Sequence, residues 1–291
     1  MSRIPYNKEP KTTFLDEESA IKITMINHPD IEQTKKMIIN ICYGYKDPNI
    51  YDKLNEEERD NAIKEVIAGG TLPKALEMTG KFVFLIENIS LTITHCLVRH
   101  RFFTILQSST AVKDLRAENF VMPRSFAKDP AFYEQIKDWY NIGKKLYCSG
   151  VDNYGLSVQN ARLFLPKNNC NHMFIGFDLK AFGEAYGQRM CSCEEPIQNN
   201  IIFKKMADDI LKLFPYFNGY FKSHDETGRC LHSKTGKHAN VCFARDELHK
   251  KFLPKDYLEN NPDDLLHDKT RDEMNEGPEI KWQQLIIKEQ E

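Results

Sequence analysis

Arg99-His100-Arg101 opens the stretch RHRFFTILQSS, and Gln107, Ser108 and Ser109 close it. Guanidinium groups among aromatic and aliphatic neighbours are costly to bury unless an anion or a hydrogen-bond acceptor meets them. Two arginines, an imidazole and a small group of hydroxyls in such company therefore point to a bound anion. Two more arginines lie further on. Arg162 sits in NARLFLP, and Arg189 ends DLKAFGEAYGQR, whose inward row at helical spacing runs Asp178, Phe182, Ala185 or Tyr186, and Arg189.

A second set of residues suits metal chemistry. Cys191 and Cys193 stand in MCSCEEP, and Cys230, His232, His238 and Cys242 follow in GRCLHSKTGKHANVCF. Soft ligands gathered near one helix end suit zinc or an iron-sulfur cluster, with Cys191, Cys193, Cys230 and Cys242 as the ligands. The spacing is not that of a zinc ribbon, and a single cysteine is most often a small buried hydrophobe.

These residues need elements to hold them. Residues 1–20 read as a polar leader. Ala20 to Ile26 reads as a strand, followed by a helix that Asp30 caps, with Gln33 at the capping-box position, and that Gly44 ends. Asn55 and Glu58 start a second helix, with Ala62, Ile63, Val66 and Ile67 facing inward and Gly69-Gly70 stopping it. KFVFLI reads as a buried strand. SLTITHCLVRHR has the length of a helix but the β-branched content of a strand, and is taken as a helix.

Asp129-Pro130 opens a helix that runs to Tyr147, with Phe132, Ile136, Trp139 and Tyr140 as its inner face. Tyr154 to Leu165 is expected to form another helix, stopped by Pro166. HMFIGF reads as a strand feeding the helix that begins at Asp178, and Pro196 starts a long helix reaching Pro215. The expectation is one α+β domain over residues 21–254, with a Cys/His-containing loop at 219–243 and a charged tail at 255–291.

The 291 residues, 41% of them hydrophobic, suffice for a sizeable core, and the net charge of −2 argues against nucleic-acid binding by overall charge. No run approaches the roughly 18 to 20 apolar residues that span a bilayer, and the first residues lack the apolar centre of a secretion signal. The protein reads as cytoplasmic, with no membrane and no direct nucleic-acid partner. In that compartment its 8 cysteines are free thiols or metal ligands.

The arginine motifs resemble those of the flavin-dependent thymidylate synthases of the ThyX type. That family's signature is Arg-His-Arg, seven residues, then Ser, which Arg99-His100-Arg101 and Ser109 match. THCLVRHR is similar to the usual lead-in and ARLFLP to the family's Ala-Arg-x-x-Leu-Pro, and Arg189 falls 27 residues after Arg162, at the nucleotide-binding arginine. The resemblance extends loosely from Ile21 to Phe214.

It implies a central sheet flanked by helices, with active sites between the subunits of a homotetramer. It further implies transfer of a one-carbon unit from methylenetetrahydrofolate to carbon 5 of dUMP, with FAD as cofactor and NADPH as reductant. Arg99, His100, Arg101, Asp178, Lys180 and Glu184 would then contact the cofactor. Gln107, Ser108, Ser109, Arg162 and Arg189 would hold the nucleotide, the two arginines acting on the reacting base. No enzyme nucleophile is required, so Ser109 is a binding hydroxyl.

The chain departs from the family pattern in several places. Thr110-Ala111 follow Ser109 where the family usually has an arginine two positions on, and Lys113 or Arg116 would have to compensate. Cys96 replaces a glutamine of the lead-in. GGTLPKALEM keeps Glu77 but neither upstream histidine. Asp178, Lys180 and Glu184 stand where Asn, Arg and Asn are common, and an ionised carboxylate accepts but cannot donate.

Two alternatives follow: a paralogue that methylates or hydroxymethylates another pyrimidine nucleotide such as dCMP, and a catalytically silent nucleotide-binding or metal-stabilised protein. Taken singly, the arginines also fit surface or interface ion pairs, Asp178 a helix cap, Lys180 with Glu184 an exposed pair, and Phe102 and Phe103 core positions.

Overall fold

The computed structural model describes residues 13–44, 47–68, 73–110, 115–116, 119–123, 126, 129–190 and 198–227. The chain divides into two units: residues 1–186 with 195–221, and residues 187–194 with 222–291. The first unit is built on a four-stranded antiparallel sheet. Its strands are β2 (Lys22–Asn27), β3 (Phe82–Ser90), β4 (Thr104–Gln107) and β6 (Cys170–Phe177), in the order β2-β3-β6-β4. Phe82, Phe84, Ile86, Met173, Ile175 and Phe177 alternate onto one face and are fully buried there. On that face lie α9 (Leu179–Arg189) and α10 (Gln198–Leu213), through Phe177 stacked on Phe182 at 4.7 Å and Phe182 on Phe203 at 5.7 Å. The opposite face carries Phe174 and Leu106, paired in register and both exposed.

Local signals place most of the helices. α1 is Glu17–Ala20, and α2 is Ile31–Tyr43, whose first turn is capped by Asp30 accepting from the Gln33 amide at 2.7 Å. After the short α3 (Ile50–Lys53), α4 (Glu56–Ala68) begins with a reciprocal box. The Glu58 amide donates to the Asn55 side chain, and the Asn55 amide to the Glu58 carboxylate. α5 is Pro73–Glu77, and α6 is Leu91–Leu97, where Ser90 accepts from the Ile93 amide. The β-branched run before Arg99 is thus a helix, as expected.

Three expectations need correction. The leader enters the fold: Phe14–Asp16 forms β1, paired in parallel with β5 (Phe120–Met122), and Glu17 is buried and accepts a hydrogen bond from Gln198. Apolar Phe14 drives this, stacking on Phe120 at 5.9 Å. The long helix α7 (Pro130–Asp152) buries Tyr140, Gly143, Lys144, Tyr147 and Gly150, whereas Phe132 and Trp139 are exposed. The expected helix from Tyr154 to Leu165 shrinks to α8 (Val158–Ala161) and a single 3-10 turn, Arg162–Phe164. Gly155 at φ +63° breaks the chain before it, and Ser157 starts it afresh by capping the Asn160 amide.

In the second unit the described residues are 187–190 and 222–227. They include α11 (His224–Thr227), opened by a Ser223 amide that donates to Glu226. Gly187 lies so close to His224 that a Cβ there would come within 2.7 Å of the imidazole, so any larger residue would have to displace the ring.

Candidate functional site

The segment from Arg99 to Thr110 is a turn and an edge strand held at both ends. His100 and Phe103 close the turn through backbone bonds to Leu97 and His100, and β4 then pairs with β6 from Thr104↔Gly176 to Gln107↔Met173. Alternation divides the signature. The His100 ring points to the aromatic body, 5.0 Å from Phe103 and 6.0 Å from Phe203, while Arg99 and Arg101 are exposed. The imidazole thus anchors a turn that leaves two guanidiniums free to approach a ligand.

The far end of the segment is fixed just as firmly. Gln107 donates to the Thr94 hydroxyl at 3.0 Å, the Ser108 amide donates to the His172 carbonyl, and Asn171 donates to the Ser108 carbonyl. Ser109 is exposed and Thr110 follows. There the Arg162 guanidinium donates to the Thr110 hydroxyl at 2.9 Å, joining segments 52 residues apart. Arg162 is held by its neighbours: Ala161 is fully buried against Tyr147 and Leu115, and the Leu165 amide closes the 3-10 turn on the Arg162 carbonyl. Where the family pattern would put an arginine two positions after Ser109 the chain has Ala111, and Thr110 beside it bonds Arg162. Arg116 does not supply the missing charge, because it pairs with Asp152 at 2.6 Å; Lys113 lies outside the described residues.

At the other end of β6 a cleft of about 270 Å³ is lined by Glu77, Phe102, Asp178, Lys180, Ala181 and Glu184. Asp178, Lys180 and Glu184, the three residues expected to meet a cofactor at the start of α9, are thus brought together with three others. Asp178 also caps α9, accepting from the Ala181 amide at 2.8 Å. Lys180 does not pair with Glu184 in the simple i,i+4 manner; it is ion-paired to Glu77 of α5, which raises its pKa above the ordinary lysine value, with Glu184 and Asp178 adding smaller contributions. The cleft holds three carboxylates to one ammonium. Phe102, expected in the core, is 72% exposed on its wall, because the tight turn after Arg101 sends successive rings to opposite sides. The signal available in the sequence was the Phe-Phe pair itself, since only one of two adjacent residues can face inward from such a turn.

Arg189 closes α9 and is buried at 7% exposure, and it belongs to the second unit. Cys191, Cys193, Cys230 and Cys242, with His232 and His238, lie outside the described residues. Among the described residues no group of three or more His, Cys, Asp or Glu side chains is placed to hold a metal, and no helix is long and apolar enough to cross a membrane.

Comparison with known proteins gives consistent matches. The family described as "Thymidylate synthase complementing protein" matches residues 24–216. The flavin-dependent thymidylate synthase of Pyrococcus abyssi is 29% identical over 166 residues, covering 56% of this chain and 66% of that protein. The enzyme of the same name from Pyrococcus furiosus is 25% identical over 177 residues, covering 59% and 71%. Thus the match spans about two thirds of these relatives' length. Among solved structures, the UMP/dUMP methylase PolB of Streptomyces cacaoi bound with 5-Br UMP superposes with a TM-score of 0.56 at 12% identity, covering 73% of this chain and 99% of that one. Its complex with 5-Br dUMP gives 0.57 at 14%, covering 70% and 97%.

Proposed function

Since the chain belongs to the family of thymidylate synthase complementing proteins, we propose that it is a flavin-dependent enzyme that methylates carbon 5 of a uracil nucleotide, dUMP first among them. The one-carbon unit comes from methylenetetrahydrofolate and the reducing equivalents from NADPH, in a cytoplasmic homotetramer. The observation that carries the reading is the Arg162–Thr110 hydrogen bond, which brings the arginine of ARLFLP beside the Ser109 end of the Arg-His-Arg signature. Motifs distant in sequence that meet at one point are hard to explain as separate surface features.

The residues present suit a flavin dinucleotide in kind. Exposed Arg99 and Arg101 offer forked donors to its diphosphate, exposed Phe102 offers a face for stacking, and Asp178 and Glu184 accept from N–H and O–H groups. Bound there, the flavin supplies the hydride that completes the methyl group.

The chain's own part is placement and electrostatics. Ser109 and Arg162 hold the nucleotide phosphate and base. Gln107, locked on Thr94, and Ser108, locked on β6, keep that wall from shifting. A guanidinium near the uracil carbonyls stabilises the negative charge that the ring gains when carbon 5 becomes nucleophilic. Arg162 is suited to this because its other contact, a neutral hydroxyl, leaves its charge unpaired with any carboxylate at that bond.

The test is release of tritium from carbon 5 of labelled dUMP in the presence of FAD, NADPH and methylenetetrahydrofolate. Tritium release with a methylated product supports the reading. UMP and dCMP run in parallel decide the base and sugar, the first because a structural neighbour is named as a UMP/dUMP methylase. No release from any of the three refutes the reading.

A further inference from the structure

One stripe of helix α7 supports both segments that meet at Arg162 and Thr110. Gly143, Tyr147 and Gly150 recur at helical spacing, so they share one face, and all three are buried. A Cβ on Gly143 would come within 2.6 Å of the Phe164 carbonyl oxygen, and one on Gly150 within 3.1 Å of the Leu156 side chain. The two glycines therefore let residues 156–164, Arg162 among them, lie directly against the helix. Tyr147 stands between the glycines.

Tyr147 engages both segments at once. Its side chain is fully buried in one cluster with Leu115 and with Ala161, the residue before Arg162. Its hydroxyl accepts from the Leu115 amide at 3.0 Å, and Leu115 follows Thr110 by five residues. A buried amide left without an acceptor is costly, so this attachment holds. Arg116, next in sequence, pairs with Asp152 of the same helix at 2.6 Å.

The two segments meet again at the hydrogen bond from Arg162 to Thr110. Such a bond weakens steeply once distance or angle departs from the favoured range, so its partners must be held at a fixed separation. Close packing transmits small displacements, and Tyr147 touches the supports of both partners. Loosening the phenol at its Leu115 end therefore shifts the Arg162 end as well.

We propose that Tyr147 is a positioning residue for the nucleotide: it couples the segment after Thr110 to the segment bearing Arg162, and so presents the guanidinium in its binding orientation. Being fully buried, it acts through Arg162 and not on the ligand. The inference rests on the nucleotide reading given above and extends it to an uncharged side chain outside the arginine motifs.

Y147F keeps the ring and removes the acceptor, and calorimetry on the full-length chain reads the effect. It weakens dUMP binding about three- to tenfold, leaves FAD affinity unchanged, and adds nothing in an R162A background, where no guanidinium remains to misplace. Y140F, which deletes another buried hydroxyl from the same helix, leaves dUMP affinity as in the wild type. Wild-type dUMP affinity in Y147F, the same loss in the R162A background, or a loss shared by FAD or by Y140F overturns the proposal.

Hydrogen exchange reads the coupling without a nucleotide. In Y147F the amides of residues 157–165 exchange faster, although the bond removed is to Leu115; in A161G, which keeps the hydroxyl, the Leu115 amide exchanges faster, because coupling is reciprocal. If the wild type binds no dUMP, the nucleotide reading fails and exchange decides the coupling: both changes support it, and the absence of either overturns it. Should Y147F lose its fold, A161G decides, and unchanged exchange at Leu115 overturns the proposal.

Discussion

The Arg162 guanidinium and the Thr110 hydroxyl meet at 2.9 Å, so the arginine is oriented before any ligand arrives. The donor of this bond is charged, and hydrogen bonds involving a charged group, whether to this hydroxyl or to a ligand anion, contribute about 1.5–3 kcal/mol. T110V is therefore expected to weaken dUMP binding about two- to tenfold by loosening Arg162, and R162A about ten- to hundredfold by removing it. Calorimetric titration with dUMP checks both; equal affinities in wild type and R162A would exclude Arg162 from the site.

Glu77 holds Lys180 at the rim of the cleft, and the pair is partly exposed, so its contribution to stability is small. Its effect on ligands is larger. E77Q removes one of the cleft's carboxylates and releases the lysine, which should tighten FAD binding several-fold at low salt and much less at high salt, where screening shortens the range of the charge. Flavin fluorescence quenching measured at two ionic strengths reads this directly. Unchanged affinity would place the diphosphate away from Lys180.

Phe102 and Phe103 should separate cleanly. Phe103 is partly buried and lies 5.1 Å from Phe177, so F103A is expected to destabilise the fold, by less than the roughly 3–5 kcal/mol of a fully buried aromatic. Phe102 is solvent-exposed, so F102A should leave the melting temperature unchanged and weaken FAD binding. Thermal melts and flavin titration of the two variants provide the comparison.

Burial raises the Tyr140 hydroxyl from the ordinary value of 10.0 to about 12, and burial together with the hydrogen bond to Glu32 raises Tyr51 to about 12. The folded chain keeps protons that the unfolded chain releases above about pH 10, so stability is full below that pH and falls as pH rises toward about 12. Melting temperatures followed with phenolate absorbance should show the decline, and Y140F should lessen it.

What could be read from the residues was what neighbouring residues decide. The Asp30 cap and the Asn55–Glu58 box announce their helices because donor and acceptor are three residues apart. The pairing of Phe14 with Phe120 was not legible, since a short polar-looking leader carries no sign of a partner a hundred residues away. The inner face of α7 was misjudged for a related reason: its apolar arc is wide, and pattern alone cannot say which half the chain covers. The bond between Arg162 and Thr110 was not legible, because its two partners come from segments 52 residues apart. Nor was the meeting of Glu77 with Lys180, which depends on α5 ending beside the first turn of α9.

The most direct measurement is the absorbance spectrum of the FAD-loaded protein during titration with dUMP. One composite site predicts that dUMP perturbs the flavin band saturably in the wild type and that R162A abolishes the change while FAD remains bound. A protein that takes up no FAD, or a flavin band indifferent to dUMP, UMP and dCMP alike, would contradict the account.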